Sequence, residues 1–315
     1  MNFNPPEKVL DRWRILKAVL GRSPEVRQVP LGDGLYSVVK WYGFQRKKIQ
    51  DNLKIKDHTG NFGWIDVSPR YGLAWPTEGS LARLADGLAE LWTPSNAHYF
   101  FVPMTMVDAG DVVVDVGCCE GAFALECLRR YQASEVWCFE PSPRMAAALA
   151  ITAERNNLGD RMHVEPAAVS NASGSVQFYE TAADPLGGSA HDRTGSMNEA
   201  DGDSIVSTVA KTTLDDWARA RSIQRLDYLK IDAEGDDLAV LEGARECLER
   251  WRPKIEVTPY HRPEHCELIS VYLRSLNLGY RFQVKGINIH KVEGMTSENR
   301  IPRPVMLHAS AREGK

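Results

Sequence analysis

The segment Asp111-Val-Val-Val-Asp115-Val-Gly117-Cys-Cys-Glu-Gly121 constrains the fold more than any other part of the chain. An apolar run of this kind reads as a buried strand. It breaks into an acidic turn punctuated by Gly117 and Gly121, and Ala122-Phe-Ala-Leu-Glu-Cys-Leu then opens a helix. A second apolar run, Val136-Trp-Cys-Phe-Glu140, ends in a carboxylate about 20 residues past the glycines, where an α/β nucleotide fold puts the residue that reads ribose hydroxyls. The glycines are spaced G-x-x-x-G behind an acid, not G-x-G-x-x-G. A dinucleotide needs a closer glycine approach to its pyrophosphate, so a nicotinamide dehydrogenase is disfavoured. The competing reading of this segment alone is a generic βαβ turn with surface acids.

From about residue 110 onward strands and helices alternate, which implies an α/β domain with a mainly parallel sheet. Ser142 is a good N-cap for the Ala-rich helix over 144–155, and Pro143 suits its first turn. Further strands are expected at Met162-His-Val-Glu, Tyr228-Leu-Lys-Ile-Asp232 and Lys254-Ile-Glu-Val-Thr258, with a closing pair at 280–284 and 304–308. Residues 175–179 and 204–209 read as a hairpin-like pair split by the polar loop 182–203, whose length suggests a lid over a bound acceptor. Residues 1–107 are set apart from 108–315 as an α+β cap. They hold a basic amphipathic start at 9–20, helical spacing of Leu81, Leu84, Leu88 and Leu91, and many aromatics, among them Trp41, Tyr42, Trp64, Tyr71 and Trp75. Those aromatics read either as core or as the lining of an acceptor pocket.

Composition narrows the function classes. Net charge is −4, with Lys+Arg 38 against Asp+Glu 42, which argues against wrapping nucleic acid. The local run Arg46-Lys47-Lys48 reads as a solvated face. No stretch approaches the ~18 continuous apolar residues of a spanning helix, so no membrane insertion is expected. The six cysteines form no C-x-x-C pair, and a reduced, cytoplasmic chain is expected.

Taken together, these segments make the chain resemble the FkbM family of S-adenosylmethionine-dependent methyltransferases. The residues that carry the resemblance are Asp115-Val-Gly117-x-x-x-Gly121, Phe139-Glu140-Pro141, Ala168-Val169-Ser170, Thr213-Leu-Asp215-Asp-Trp217, Leu229-Lys230-Ile-Asp232-Ala-Glu234-Gly235 and Leu241-x-Gly243-Ala244. The resemblance implies a class I methyltransferase, Rossmann-like fold with a seven-stranded sheet of order 3-2-1-4-5-7-6. It also implies O-methylation of a small-molecule or glycan acceptor: a sugar, glycolipid or secondary metabolite. It departs at the glycine turn, where Cys118-Cys119 stand in place of the family's usual Ala-Asn.

On this reading Asp115, Gly117, Cys118, Cys119 and Gly121 surround the methionine end of S-adenosylmethionine. Glu140, followed by Pro141 and Ser142, accepts the ribose diol, and Ala167 and Ala168 flank the adenine. Asp232, Glu234 and Glu256 are expected to converge at neighbouring strand ends as base, as hydrogen-bond acceptors, as structural acids or as oxygen ligands of a divalent metal, which is not itself expected. Lys230 shares a strand face with Asp232 and would balance its charge. His261 reads first as a surface histidine and second as a candidate base by its ordinary pKa. The run Tyr260-His-Arg-Pro-Glu-His-Cys does not match a structural zinc spacing. Asn4-Pro5-Pro6-Glu7 imitates an amino-methyltransferase loop but stands far from the strand ends. A protein or RNA methyltransferase and a non-catalytic cofactor-binding module are the alternatives, and a homodimer is left open.

Overall fold

Valine dominates the central run, and β-branched side chains suit a pleated surface covered on both sides. The computed structural model describes residues 7–39, 42–190, 204–262, 264–289 and 301–311. Ahead of the central strand come α1 (Glu7–Leu20), α2 (Leu31–Val39) and α3 (Tyr42–Gln50), then the antiparallel sheet β1 (Ile55–Thr59), β2 (Phe62–Ser68) and β3 (Tyr71–Pro76), then α4 (Leu81–Trp92). The alternating part runs β4 (Val112–Val116), α5 (Ala122–Arg129), β5 (Glu135–Phe139), α6 (Pro143–Arg155) and β6 (Met162–Glu165). After β7 (Ala167–Val169), β8 (Gly174–Thr181) and β9 (Ser204–Thr212) it resumes with α7 (Leu214–Ala220), β10 (Tyr228–Ile231), α8 (Asp237–Glu242), α9 (Arg245–Trp251), β11 (Lys254–Val257) and α10 (His265–Ser275). It closes with β12 (Arg281–Asn288) and β13 (Arg303–Ser310).

The main sheet has seven strands in the order β12-β13-β11-β10-β4-β5-β6. β4, β5, β6, β10 and β11 are parallel, and β13 runs antiparallel to both β11 and β12. Counted along the chain, this is the expected class I methyltransferase order. Strand order reverses between β4 and β10, and in such sheets ligands settle outside the carboxyl ends at that reversal. The expected hairpin of β8 and β9 forms, but it belongs to a separate three-stranded sheet completed by β7. The alanines expected beside the cofactor therefore sit in a short strand of their own.

Period-two alternation sorts the side chains into two layers. Val113, Val136 and Tyr228 pack with Phe123 and Leu125 of α5 and Leu149 of α6, while Val114, Val116, Leu229, Ile231 and Ile255 pack with α7 to α10. The hydrophobic core continues without a break across residue 107. Leu73, Trp75, Leu84 and Leu88 belong to the same cluster as Val113 and Phe123, and Ile15 and Val19 of α1 join the opposite layer. Of the aromatics, Trp64, Tyr71 and Trp75 are buried core, whereas Trp41 lies outside the described residues.

Polar side chains of α6 and its C-cap stitch the leading sheet on. Thr152 Oγ1 accepts from Ala74 N at 2.9 Å, and Asn156 exchanges hydrogen bonds with Gly72, accepting at 3.2 Å and donating at 2.8 Å. At the far end of the main sheet, Ser37 Oγ accepts from Ile287 N of the edge strand β12 at 3.0 Å. Asn156→Ala is expected to cost about 1–3 kcal/mol by leaving buried Gly72 groups unsatisfied. Thermal unfolding should shift down while staying a single transition, because both regions share one core. A separate early transition would contradict that.

Candidate active site

The carboxyl ends of the parallel strands project Gly117, Glu140, Asp232 and, after β11, the turn Pro259–His261 to one edge. The loop after β4 lies against the end of β10. A Cβ on Gly117 would stand 2.0 Å from the carbonyl oxygen of Asp232, and Gly117 has φ +73°, so only glycine fits. Cys119 takes φ +54°, in the region that asparagine tolerates better than most residues. The pocket at this edge is lined by Gly117, Cys119, Glu140, Pro141, Ala167, Ala168, Asp232 and Glu234.

Glu140 is the best-defined acid of the pocket. Its Oε2 accepts from Cys119 N at 2.9 Å and its Oε1 from Ser142 N at 2.8 Å. A carboxylate has about four acceptor positions, so one on each oxygen remains for a ligand diol. Burial pushes the Glu140 carboxyl up to about 7, against the pull of those two amides. Ser142 does not line the pocket: its Oγ caps α6 at Met145 N and donates to Glu180 at 2.8 Å, so it holds the loop that aims Glu140.

Three expected ligand-facing residues lie behind the pocket instead. Asp115, Cys118 and Gly121 are absent from its lining, and Asp115 is fully buried. Parallel register sets Asp115 beside Lys230 and Lys230 beside Glu256, so these residues form one row across β4, β10 and β11. Lys230 Nζ lies 2.9 Å from Asp115 Oδ1 and donates to Gly117 O at 2.6 Å. Burial would lower the lysine pKa, but Asp115 and Asp232 outweigh it and raise it. The expected convergence of Glu256 with Asp232 and Glu234 is not what forms. Glu256 is wholly buried within β11, accepts from Tyr228 Oη at 2.6 Å, and is pushed well above the carboxylate range by that burial. A residue inside a strand cannot reach the rim that loop residues occupy.

The His261 side chain is 9% exposed rather than that of a surface histidine, and it takes the place expected of Glu256. Burial would lower its pKa, but Asp237 and Glu234 outweigh it and hold the imidazole well above its ordinary value. Its Nε2 lies 3.5 Å from Glu234 Oε2 and 3.7 Å from Asp232 Oδ1, while its Nδ1 lies 3.6 Å from Asp237 Oδ2. Asp237, missed in the sequence because an acid opening a helix reads as a cap, is fully buried. Its Oδ1 accepts from Ala233 N at 2.9 Å, and its Oδ2 also faces His265 Nδ1 at 3.6 Å. Burial would raise its pKa, but both histidines outweigh it and hold it far below the usual range. Glu234 has φ +50°, a conformation that turns the carboxylate back toward His261. From the leading region, His98 Nδ1 meets Glu90 Oε1 of α4 at 3.5 Å, and its ring sits edge-on to Tyr260 with centroids 5.1 Å apart.

Phe139 of the family motif also lines the pocket, as do Phe178, Pro185, Leu186, Gly188 and Ser189, which were not singled out in the sequence. A Pro-Leu-Gly-Gly run inside an otherwise polar loop was the available signal. Part of the expected lid thus already lines the pocket, while residues 191–203 of it lie outside the described residues. Cys119 also lines the pocket, and burial keeps its thiol well above the ordinary value, so it is present as a neutral SH. No helix among the described residues is long and apolar enough to cross a membrane. All six cysteines are free.

Residues 115–282 match the model of the methyltransferase FkbM domain. The chain is 27% identical over 194 residues to the 2-O-methyltransferase NoeI of Sinorhizobium fredii (strain NBRC 101917 / NGR234), spanning 58% of this chain and 76% of that protein. Among solved structures it aligns with methyltransferase FkbM from Methylobacillus flagellatus KT at 14% identity and a TM-score of 0.47, covering 96% of this chain but 62% of that one, under two thirds of its length. It also aligns with an O-methyltransferase from Bacillus cereus in complex with SAH, at 14% identity and a TM-score of 0.35, covering 65% of this chain and 74% of that one.

The Glu140 shift has a definite sign. The folded chain holds this proton up to about pH 7, whereas the unfolded chain releases it near 4.5. Its stabilising contribution is therefore present below the lower value and is lost as pH rises through the upper one. The ligand-free protein should lose melting temperature between about pH 5 and about pH 8, and Glu140→Gln should flatten that decline. Glu120 and Glu90, which burial pushes to about 7 and about 8, titrate over the same range and leave a residual slope. Melting curves of equal steepness in both proteins would contradict the assignment.

Proposed function

The chain belongs to the FkbM family of methyltransferases, and on that premise we propose that it methylates a hydroxyl oxygen of a sugar, glycolipid or secondary metabolite. That it is an S-adenosylmethionine-dependent methyltransferase follows from the family; the oxygen acceptor and the roles of individual residues are the proposal. The observation that carries it is the joint lining of one pocket by Glu140 and by Asp232 and Glu234, which puts a diol-reading acid and two further carboxylates around a single cavity. The 2-O-methyltransferase name borne by the relative from Sinorhizobium fredii supports oxygen as the acceptor atom.

The pocket residues fit the cofactor. Glu140 keeps acceptor positions for a ribose diol, Ala167 and Ala168 leave a flat space for adenine, and Gly117 lines the same cavity on the side where the methionyl tail would lie. Bound there, S-adenosylmethionine supplies a methyl group on an electrophilic sulfonium. The remaining work of the chain is alignment of the acceptor oxygen and removal of its proton. Asp232 and Glu234 are the groups that would accept the hydroxyl hydrogen, since both line the same cavity as Glu140. Thr258 Oγ1 donates to Asp232 Oδ1 at 2.5 Å and fixes the rotation of that carboxylate. Lys230, Asp115 and Glu256 act on this reading as support beneath the reacting edge. The leading region would complete the acceptor side with His98, whose ring meets Tyr260 of the Pro259–His261 turn, and with Glu90 behind it.

The test is methyl transfer from isotope-labelled S-adenosylmethionine to a panel of hydroxylated glycans and metabolites, with protein and RNA pools as parallel arms. Label in a hydroxyl acceptor is expected; label confined to protein or RNA would overturn the acceptor assignment. Glu140→Ala should weaken S-adenosylhomocysteine binding by about 10- to 100-fold in calorimetry, the loss expected for charge-assisted hydrogen bonds to a buried diol. Asp232→Asn should lower kcat by about 100-fold or more, the usual scale of a lost proton acceptor, with a smaller effect on S-adenosylhomocysteine affinity than Glu140→Ala.

A further inference from the structure

We propose that Asp232, Glu234 and His261 form a site for one divalent first-row transition ion at the edge of the pocket. A carboxylate oxygen of Asp232, one of Glu234 and an imidazole nitrogen of His261 all lie within 4.8 Å of one another. The His261 side chain is 9% exposed, and its Nε2 makes no hydrogen bond although it points between two carboxylates. Its separations of 3.5 and 3.7 Å from Glu234 and Asp232 are too long for hydrogen bonds. They match a different arrangement: two ligands each about 2.1 Å from a shared ion, at a roughly tetrahedral angle, stand about 3.4 Å apart.

The surroundings supply what a metal-bound imidazole requires. A ligating histidine is usually oriented by a carboxylate on its other nitrogen. On the Nδ1 side of His261 stands the buried Asp237, which at 3.6 Å faces the ring as a charge, without a hydrogen bond. Thr258 similarly steadies Asp232 through its hydroxyl hydrogen bond. The glycine after Glu234 and the positive φ of Glu234 itself turn the loop so that two carboxylates separated by one residue face the same nitrogen. One imidazole with two carboxylates selects manganese, iron, cobalt or zinc over magnesium or calcium, which prefer oxygen alone. Three protein ligands leave coordination positions open, and both carboxylates line the cofactor pocket. An ion there would take the acceptor's oxygen as a further ligand; this role, though not the ion site itself, rests on the methyltransferase reading above.

The experiment is titration of the purified, chelator-treated full chain with Mn2+, followed by loss of the free-ion electron paramagnetic resonance signal, with S-adenosylhomocysteine calorimetry on the same sample. One ion per chain is expected at submillimolar Mn2+, weakened at least about 10-fold by His261→Ala and about 10- to 100-fold by Asp237→Asn, which keeps all three ligands. Wild-type melting temperature in either variant rules out unfolding as the cause, and a variant that fails to fold is replaced by His261→Gln. No uptake by about 1 mM Mn2+, or uptake that is the same in the folded variants, overturns the site. S-adenosylhomocysteine binding without ion uptake defeats the ion site alone, whereas ion uptake without S-adenosylhomocysteine binding defeats the functional reading and leaves the ion site standing.

Discussion

The buried pair of Lys230 and Asp115 is the constraint on which the rest of this structure turns. Two charges withdrawn from water at the centre of a sheet are tolerated only when they face each other, and 2.9 Å between Nζ and Oδ1 meets that condition. The same ammonium donates to the Gly117 carbonyl, so the turn after β4 is fastened to β10 at the point where strand order reverses. Gly117 must then lie almost against the backbone of Asp232, which explains why that position accepts no side chain. The opening that a ligand would enter is a consequence of this fastening.

From that anchor toward β12 the row across the sheet is polar. Glu256 pairs in register with Lys230 on one side and His308 on the other, and His308 Nδ1 lies 2.9 Å from Thr105 Oγ1. The segment that leads into β4 covers this row with Phe100 and Phe101, whose rings pack on Phe123 of α5 at 5.5 and 5.3 Å between centroids. The leading region is thus part of what keeps the row dry. Its removal would expose buried charges as well as apolar surface, which is the physical reason that one core spans residue 107.

Much of the fold was legible because its strands announce themselves. Short Val- and Ile-rich runs, each ending in a glycine or an acid and each followed by helical spacing, leave little choice but a parallel sheet with helices on both faces. Glu140, Gly117 and the alanines of β7 were legible for a related reason: residues just past a strand's carboxyl end have their place set by the strand. Less legible were residues whose role depends on distance from that end. Glu256 and Glu234 are both acids near a strand terminus, yet one lies inside β11 and is hydrogen-bonded by Tyr228, whereas the other lies in a loop. Composition and spacing do not separate those two situations.

By itself, then, the sequence determined the strand order's ingredients, the family, and the identity of the acid that caps β5, because these follow from local periodicity and from turns that only glycine or small residues can make. Tertiary structure decided which polar residues meet. It drew His261 rather than Glu256 into contact range of Asp232 and Glu234, set Asp237 behind it, and turned Asp115 away from the pocket toward Lys230. Those choices arise between elements far apart in the chain, where register across the sheet and the depth of burial fix the partner of each charge.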